Sequence, residues 1–297
     1  MKSVYNFIII VIRTFIKWPK YSPLSKYPLG HFYSPIVSKA ELFEFENQIW
    51  EEVDKETISG INLNLDKQLI LLKEFSQYYS QMPFKDEKTD SQRYCFNNGA
   101  YSYTDGIVLY SFIRHFKPKR IIEVGSGHSS AVMLDTREAF VNDINLTFIE
   151  PYPKYLNKII KDKDRANCEV LEKKVQNVPL NRFQKLERDD ILFIDSSHVS
   201  KTGSDVNFEI FNILPTLNSG VIIHFHDVFY PFEYPKSWVS EGRNWNEDYL
   251  LRAFLSYNDQ FEIILFSHYI HQHHKEAFKD MPLTYKNTGG NLWIRKK

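Results

Sequence analysis

A glycine-rich turn directly after a short apolar strand is the first feature of this sequence that could bind a ligand. The segment IIEVGSGHSS, positions 121–130, enters a predicted helix through this turn. Two glycines let the backbone pass close to a ligand, and the free N–H groups at the start of a helix can bind its polar groups. A dinucleotide fingerprint would have a third glycine at Ser130, so that pattern is incomplete. The predicted contacts from the turn are Gly125, Ser126 and Gly127.

Two acidic residues end neighbouring predicted strands. Glu123 stands two positions before the first glycine, which is typical of S-adenosylmethionine sites, where a carboxylate engages the methionine ammonium directly or through water. Glu150 ends the next strand, where an acidic residue binds ribose hydroxyls in nicotinamide and S-adenosylmethionine enzymes alike. After the third strand, Val175 and Gln176 lie where residues would contact the edge of the adenine ring. These positions predict a nucleoside cofactor, although each carboxylate could also be an ordinary strand-end surface group.

Four further polar residues follow the fourth and fifth predicted strands. Asp195 ends ILFID and precedes His198, while the fifth strand ends in His226 and Asp227. Because ligands bind beyond the carboxyl ends of parallel strands, we expect these side chains to converge. One hypothesis is a divalent-cation site formed by Asp195, His226 and Asp227. His198 would then be the general base, with Asp195 as a second catalytic residue and a further cofactor contact. The alternative is that the histidines only hydrogen-bond strand-end carboxylates.

Short apolar runs that alternate with helical stretches must position these residues. The seven predicted strands are RIIEV, LTFIE, CEVL, ILFID, GVIIHFH, FEIILF and NLWIRK. Strands that alternate with helices predict an α/β fold in which right-handed crossovers join a parallel sheet. The last two runs are separated by a loop with no clear helical pattern, which predicts a terminal antiparallel hairpin. We therefore predict a seven-stranded, mostly parallel sheet.

The residues before this alternation predict a helical cap. Apolar residues recur at helical spacing over 39–53 and over 63–79. A polar segment that ends in NNG gives a boundary that assigns 1–97 to the cap and 98–297 to the cofactor-binding domain. Residues 4–18 predict an amphipathic helix whose apolar run is too short to span a bilayer. This helix would either lie on the inner membrane surface or pack on its own domain.

The composition indicates an ordinary globular protein and excludes several classes. The 37 Lys and Arg residues balance the 37 Asp and Glu residues, so no net charge draws the chain to nucleic acid. The two cysteines cannot build a disulfide framework or a cysteine zinc site, which favours a reducing compartment. We therefore expect a cytoplasmic protein without a nucleic-acid partner, with peripheral inner-membrane contact through residues 4–18 as an open option.

Two later segments are dense in aromatic or histidine residues. The loop 227–244 contains several aromatic residues and follows the predicted site directly, which is typical of a lid or an acceptor pocket. Trp238 and Trp245 could instead be packing anchors. Four histidines between 268 and 274 lie in a late predicted loop, and we interpret them as a solvated or lid tract rather than a metal cluster.

Four segments together resemble the class I S-adenosylmethionine-dependent methyltransferases. They are LFIDSSH, GSDV, LPTLNSGVIIHFHDVF and EYPKSW, and the resemblance covers about residues 98–295. Within that class the chain is similar to a bacterial subgroup that resembles sugar O-methyltransferases and cephalosporin-hydroxylase-like proteins. The resemblance implies a Rossmann-like fold and S-adenosylmethionine as the cofactor.

The subgroup also implies roles for residues at two strand ends. In these relatives an acidic strand end and a D-x-x-H segment place a magnesium ion and a catalytic histidine. Asp195 and His198 match that segment, and Asp227 matches the second acidic position. His226 stands where those relatives carry another carboxylate. Magnesium is therefore a further predicted cofactor.

The favoured hypothesis is an enzyme that transfers a methyl group from S-adenosylmethionine to a hydroxyl of a sugar or glycoconjugate. His198, with an ordinary pKa of about 6.5, would accept the hydroxyl proton. A nicotinamide-dependent oxidoreductase on the same fold is one alternative, which Glu123 and Ser130 disfavour. A non-catalytic cofactor-binding scaffold is another, disfavoured because Asp195, His198 and Asp227 are all present.

Overall fold

A computed structural model of the chain describes residues 25–297, so the predicted amphipathic segment 4–18 lies outside the described residues. The described chain forms two compact units. These comprise 25–52 with 236–244, and 53–235 with 245–297. The predicted domain division after residue 97 stays a prediction. Within the described range, no helix is long and apolar enough to cross a membrane.

Strands alternate with helices along most of the second unit. The strands are β1 Arg120–Val124, β2 Asn145–Ile149, β3 Cys168–Leu171, β4 Ile191–Ile194, β5 Ile222–His226, β6 Phe261–Phe266 and β7 Asn291–Lys296. The α-helices of both units are α1 Lys39–Trp50, α2 Leu65–Tyr79, α3 Tyr103–Phe116, α4 His128–Phe140, α5 Leu156–Ile159, α6 Asp205–Phe208, α7 Lys236–Glu241, α8 Glu247–Leu255 and α9 Ser267–His273. Helices α1 and α7 belong to the first unit.

The predicted strands form one seven-stranded sheet in the order β3-β2-β1-β4-β5-β7-β6. Strands β1 to β5 pair in parallel, and β7 runs antiparallel to both of its neighbours. Val124 lies opposite Ile149 of β2 and Ile194 of β4, so the carboxyl ends of these three strands are level. The α/β, Rossmann-like, mostly parallel fold with its antiparallel end strands is confirmed. Residues that follow β1, β2 and β4 therefore lie at one edge of the sheet.

Burial on both faces explains the apolar sequences of the central strands. Strands β4 and β5 are buried along their whole length, and β1 is buried after Arg120. Such strands occur where helices cover both faces of a parallel sheet. Trp293 of β7 stacks on Phe112 of α3 with the ring centroids 3.7 Å apart. This packing fixes the strand ends from which the candidate site is built.

Helix α2 packs in the same compact unit as the sheet. Its Leu72 and Phe75 are fully buried, and Phe75 meets Phe112 edge-on with the ring centroids 5.0 Å apart. The backbone N–H of Phe266 donates to the side-chain oxygen of Gln68 at 2.7 Å. Apolar burial and this buried hydrogen bond therefore tie α2 to the start of the connection after β6.

A buried ion-pair network ties the segment before α3 to helix α4. The guanidinium of Arg93 lies 2.7 Å from a carboxylate oxygen of Asp135 and 2.7 Å from one of Asp164. The other Asp164 oxygen lies 2.8 Å from Arg137, and the backbone N–H of Arg93 donates to Asp135 at 2.8 Å. Buried charges are tolerated when they are paired in this way. Arg93 therefore holds two buried carboxylates in place.

The connection between β6 and β7 differs from the predicted hairpin loop. The antiparallel pairing is confirmed, but helix α9 follows β6 directly and carries most of the histidine tract. Tyr269 and Ile270 are buried, and His271 stacks on Phe278 with the ring centroids 4.2 Å apart. The solvated-loop interpretation is wrong for this segment. The segment 267–273 has no glycine or proline, and burial of its apolar side chains stabilises the helix.

Candidate functional site

The glycine turn after β1 passes directly over the end of β4. Gly125 has a φ of +80°, and a Cβ there would lie 1.9 Å from the carbonyl oxygen of Asp195. Its N–H donates to the carbonyl of Ile149 at 3.0 Å. A Cβ on Gly127 would meet no atom of the described residues within 4 Å. Packing therefore requires glycine at the first position, whereas the second leaves room beside the backbone.

The carboxyl group of Glu123 lies behind this turn. It is fully buried, and the hydroxyls of Ser129 and Ser130 each lie 2.5 Å from one of its oxygens. Ser130 also accepts the N–H of Gly127 at 3.1 Å. Burial raises the pKa of Glu123 to about 8, against the opposing effect of the two serine hydrogen bonds. Glu123 therefore holds the turn to the start of α4, and its contact with a methionine ammonium stays a prediction.

A cavity of about 400 Å³ opens at the carboxyl ends of β1, β2 and β4. Its lining includes four of the predicted cofactor residues, namely Gly125, Glu150, Gln176 and Asp195. Cavities of roughly 300–1,000 Å³ are typical of small-molecule sites. The strand order therefore brings together residues that are far apart in sequence, at the sheet edge where parallel folds bind ligands.

Hydrogen bonds order the two polar side chains that would contact a nucleoside. The carboxylate of Glu150 accepts the N–H of Ser126 at 3.0 Å and the N–H of Tyr152 at 2.8 Å. The side-chain amide of Gln176 donates to the carbonyl of Gly203 at 3.0 Å. A carboxylate has about four lone-pair sites, so Glu150 retains the capacity to accept hydroxyl hydrogens. Both side chains are thus held at the cavity wall before any ligand binds.

The predicted histidine and carboxylate residues do converge beside the cavity. Oδ1 of Asp195 lies 3.4 Å from Nδ1 of His226 and 3.5 Å from Nε2 of His198. Oδ2 of Asp227 lies 3.7 Å and 3.8 Å from the same two nitrogens. These separations exceed the usual length of a hydrogen bond. Asp195 belongs to both the cluster and the cavity lining, so the two are contiguous.

Neighbouring carboxylates raise the pKa of both histidines. Burial by itself would lower the pKa of His198, but Asp195 and Glu247 outweigh burial and raise that pKa well above its usual value. Burial opposes protonation of His226 as well, yet Asp227 and Asp195 raise its pKa to about 10. The ordinary histidine pKa expected from the sequence does not hold in this cluster. The neighbouring carboxylates therefore favour the cationic form of both histidines.

The arrangement of the same residues does not support the predicted magnesium site. Among residues 25–297, no group of three or more His, Cys, Asp or Glu side chains is arranged to hold a metal ion. The donor set also suits magnesium poorly, because that ion requires a near-octahedral shell of oxygen ligands and two imidazoles stand beside these carboxylates. The structure gives no support to magnesium at Asp195, His226 and Asp227.

Glu247, the first residue of α8, is a site residue that the sequence patterns did not reveal. One of its carboxylate oxygens lies 2.9 Å from Nδ1 of His198, although the two residues are 49 positions apart. An acidic residue in the first turn of a helix is an ordinary helix-start pattern, so it carries no mark of a site. Only the folding of α8 onto the loop after β4 brings Glu247 to the histidine.

Two site residues have backbone angles that are uncommon for non-glycine residues. His198 has a φ of +57° and Asp227 has a φ of +55°. Left-handed conformations of this kind cost of order 1–3 kcal/mol and cluster at functional sites. Both residues follow strands, β4 and β5, where the chain must turn away from the sheet. The strained backbone directs their side chains toward the same cluster.

Tyr101 is a second residue that the sequence patterns missed. Its ring lies 5.0 Å from the ring of His226, measured between centroids. The buried hydroxyl of Tyr101 and both ring nitrogens of His226 make no hydrogen bond to any described residue. Buried polar groups normally have a partner, so this part of the site is suited to a polar ligand or an ordered water.

The aromatic loop after β5 proves to be a packed segment. Phe229, Tyr230, Phe232 and Tyr234 are all buried, which favours packing over a mobile lid for this part of the loop. The ring of Trp245 lies 4.4 Å from the ring of His198, measured between centroids and tilted by 38°. Trp245 therefore borders the candidate site.

The comparisons with known proteins agree with this arrangement. Residues 122–228 match the family model of a methyltransferase domain. A protein of Archaeoglobus fulgidus, described as uncharacterized, is 34% identical over 183 residues, which are 59% of this chain and 82% of that protein. A methyltransferase of Podospora anserina bound to SAH is 16% identical, with a TM-score of 0.44, over 86% of this chain and 96% of that chain.

A second solved structure gives a similar degree of likeness. The plantazolicin methyltransferase BpumL, in complex with SAH, is 13% identical over 79% of this chain and 98% of that chain, with a TM-score of 0.43. The residues that match the family model include the carboxyl ends of β1, β2, β4 and β5, from which the candidate site is built. The chain belongs to the same family as the archaeal protein, and its residues 122–228 match a methyltransferase domain.

Proposed function

We propose that this methyltransferase methylates a hydroxyl oxygen of a sugar or glycoconjugate. The observation that carries the proposal is the position of His198, whose Nε2 lies 3.5 Å from Asp195 beside the cofactor cavity. Transfer to a hydroxyl requires removal of a proton, and a histidine next to the cavity is suited to accept it. The resemblance to sugar O-methyltransferases supports the same acceptor class.

The cavity residues fit S-adenosylmethionine. Gly125 lets the turn pass over β4 where any Cβ would clash, and Gly127 leaves room for a ligand against the backbone. Glu150 would accept hydrogen bonds from the ribose hydroxyls, and Gln176 would meet the adenine edge. When bound, S-adenosylmethionine supplies an electrophilic methyl group on a sulfonium sulfur.

Residues of the protein would position the acceptor and accept its proton. The acceptor hydroxyl would give its proton to Nε2 of His198 as its oxygen takes the methyl group, and the electron pair of the carbon–sulfur bond would stay on sulfur. Asp195 and Asp227 stabilise the imidazolium that results, because both carboxylates lie within 4 Å of Nε2. Holding the acceptor in line with the methyl carbon supplies much of the remaining rate enhancement.

A raised pKa makes His198 a stronger base, but one that must first lose its own proton. The free enzyme therefore holds His198 in the cationic form at neutral pH. We expect turnover to increase with pH above neutrality, rather than through the ordinary histidine range near pH 6.5. Trp245 beside this histidine would offer an aromatic surface to one face of a sugar ring.

The test is methyl transfer from labelled S-adenosylmethionine to a panel of methyl glycosides. His198→Ala should lower turnover by about 10²–10⁴-fold while the affinity for S-adenosylmethionine stays nearly unchanged. His115→Ala, at the end of α3, is the control because it lies outside the cluster. Wild-type turnover in His198→Ala on an accepted glycoside would assign proton removal to another group.

We also propose that the chain contacts an anionic membrane surface through residues 4–18. Arg13 and Lys17 would face the lipid headgroups, and the apolar run beside them would enter the interface. In the described part of the first unit, Phe32 is 73% exposed and Phe43 is 83% exposed, which supports an apolar outer surface. Flotation with vesicles containing phosphatidylglycerol should recover the wild type. Equal recovery of the double variant Arg13→Glu and Lys17→Glu would contradict the proposal.

A further inference from the structure

We infer that Glu247 is a positioning residue that holds His198 in the orientation and tautomer needed to accept a proton. The inference rests on the proposed role of His198 in hydroxyl methylation. It concerns a residue that acts through the histidine and does not touch the acceptor. Four sets of contacts between the start of α8 and the loop after β4 carry it.

The first set is the contact between side chains. Oε2 of Glu247 lies 2.9 Å from Nδ1 of His198, and Glu247 is only 2% exposed. A carboxylate has no hydrogen to donate, so Nδ1 carries the hydrogen in this contact. In the neutral imidazole the lone pair is then on Nε2, which is the nitrogen that faces Asp195 and Asp227. Glu247 therefore selects the nitrogen that can accept the acceptor's proton.

The second set holds the backbone of His198. The N–H groups of Asn246 and Glu247 donate to the carbonyl of His198 at 3.1 Å and 3.2 Å. The first N–H groups of a helix have no partner within the helix, so the start of α8 is well suited to bind this carbonyl. His198 needs such support because its φ of +57° is unfavourable for a non-glycine residue.

The third and fourth sets fix the surroundings of the histidine. The side chain of Asn246 accepts the N–H of Ser200 at 2.6 Å and donates to the carbonyl of the same residue at 3.2 Å. The ring of Trp245 lies against the imidazole of His198. Three consecutive residues, Trp245 to Glu247, therefore restrain the ring plane, the side-chain tautomer and the loop that carries His198.

A purely structural role does not account for the carboxylate. The second oxygen of Glu247 is buried and has no hydrogen-bond partner among the described residues. Such a group costs stability, whereas a glutamine could make the same contact with Nδ1 without a buried charge. The charge is useful when the imidazole becomes cationic, because a neighbouring carboxylate in a low-dielectric site stabilises that form. This is the state that His198 reaches after it takes the acceptor's proton.

The test compares Glu247→Gln with Asp248→Asn in the full-length protein. Asp248 is the next residue, is equally buried, and accepts the N–H of Phe229 at 3.2 Å instead of contacting His198. With labelled S-adenosylmethionine and an accepted methyl glycoside, Glu247→Gln should lower kcat by about 10–100-fold. Its KM for S-adenosylmethionine should stay within about twofold, and Asp248→Asn should keep kcat close to that of the wild type.

The second readout is the imidazole spectrum of the protein without ligands. At a pH above the raised pKa of His198, long-range ¹⁵N–¹H spectra should show the hydrogen of neutral His198 on Nδ1 in the wild type and in Asp248→Asn. Glu247→Ala should lose that preference, and Glu247→Asp, whose shorter side chain cannot reach Nδ1, should behave like Glu247→Ala.

Three results would overturn the inference. They are wild-type kcat in Glu247→Gln, an equal loss of kcat in Asp248→Asn, and an unchanged tautomer in both Glu247→Ala and Glu247→Asp. If the wild type methylates no glycoside, the proposed acceptor class fails, and the spectra still decide whether Glu247 positions His198. If one variant does not fold, the tautomer in the other variant at position 247 decides the same question.

Discussion

Replacing Glu123 with glutamine should stabilise the protein, and the gain should increase with pH. The pKa of this fully buried carboxyl rises from its usual 4.5 to about 8. One pKa unit corresponds to about 1.4 kcal/mol, so the rise makes ionisation of Glu123 costlier in the folded protein than in the unfolded chain by about 5 kcal/mol. Glutamine has nearly the same shape and retains one donor and one acceptor for Ser129 and Ser130. The variant therefore avoids the ionisation cost without a change in packing.

The direction of this pH dependence follows from the number of protons that the folded and unfolded states bind. Between pH 4.5 and about pH 8 the folded protein keeps the Glu123 proton that the unfolded chain has lost. The free energy of unfolding of the wild type therefore decreases through this range because of Glu123. Glu123→Gln lacks this contribution, so the difference between the two proteins should grow from near zero at about pH 4.5 to several kcal/mol at about pH 8.

Urea unfolding of both proteins at a series of pH values measures this difference. Taking the difference removes the contributions of the cluster histidines, which also titrate and are present in both proteins. The infrared carbonyl band of protonated carboxyl groups should lose intensity at neutral pH in Glu123→Gln, whereas the share from other buried carboxyls such as Glu209 and Asp248 should remain. A stability difference that is the same at every pH, together with an unchanged band, would show that Glu123 is ionised and would refute the reasoning.

Three further predictions concern the cofactor site and the core. Glu150→Ala should weaken S-adenosylmethionine binding by roughly 1.5–3 kcal/mol in a calorimetric titration, and an unchanged Kd would remove Glu150 from the site. Gly125→Ala should lower the Tm because its Cβ would clash with the residue that follows β4. Gly127→Ala should keep the wild-type Tm and change only the affinity for the ligand. Equal Tm values for the two variants would contradict this prediction. Arg93→Met should cost about 3–5 kcal/mol in urea unfolding, because buried Asp135 loses its ion-pair partner and buried Asp164 keeps only Arg137; a loss below 1 kcal/mol would disagree.

The sequence by itself determined the fold class and the elements that carry the site. Runs such as ILFI and VII, at the start of ILFID and within GVIIHFH, are unbroken apolar stretches, which indicates strands buried on both faces of a parallel sheet. The glycine turn after Glu123 and the acidic Glu150 and Asp195 could be placed because strand ends follow directly from these runs. Their meeting at one edge then follows from the rule that parallel strands point the same way. Each of these patterns lies within a short stretch of residues, so it can be identified from the sequence without knowledge of the fold.

The tertiary structure alone decided which atoms meet and how they are charged. Nothing near Glu247 in the sequence indicates His198, because the contact depends on how α8 packs against a loop 49 positions away. The same holds for Tyr101 beside His226. The side chain of Glu123 is identifiable from the sequence, but its burial behind the turn and the resulting pKa are not. Desolvation and the charges of neighbouring groups set a pKa, and both depend on contacts between distant parts of the chain.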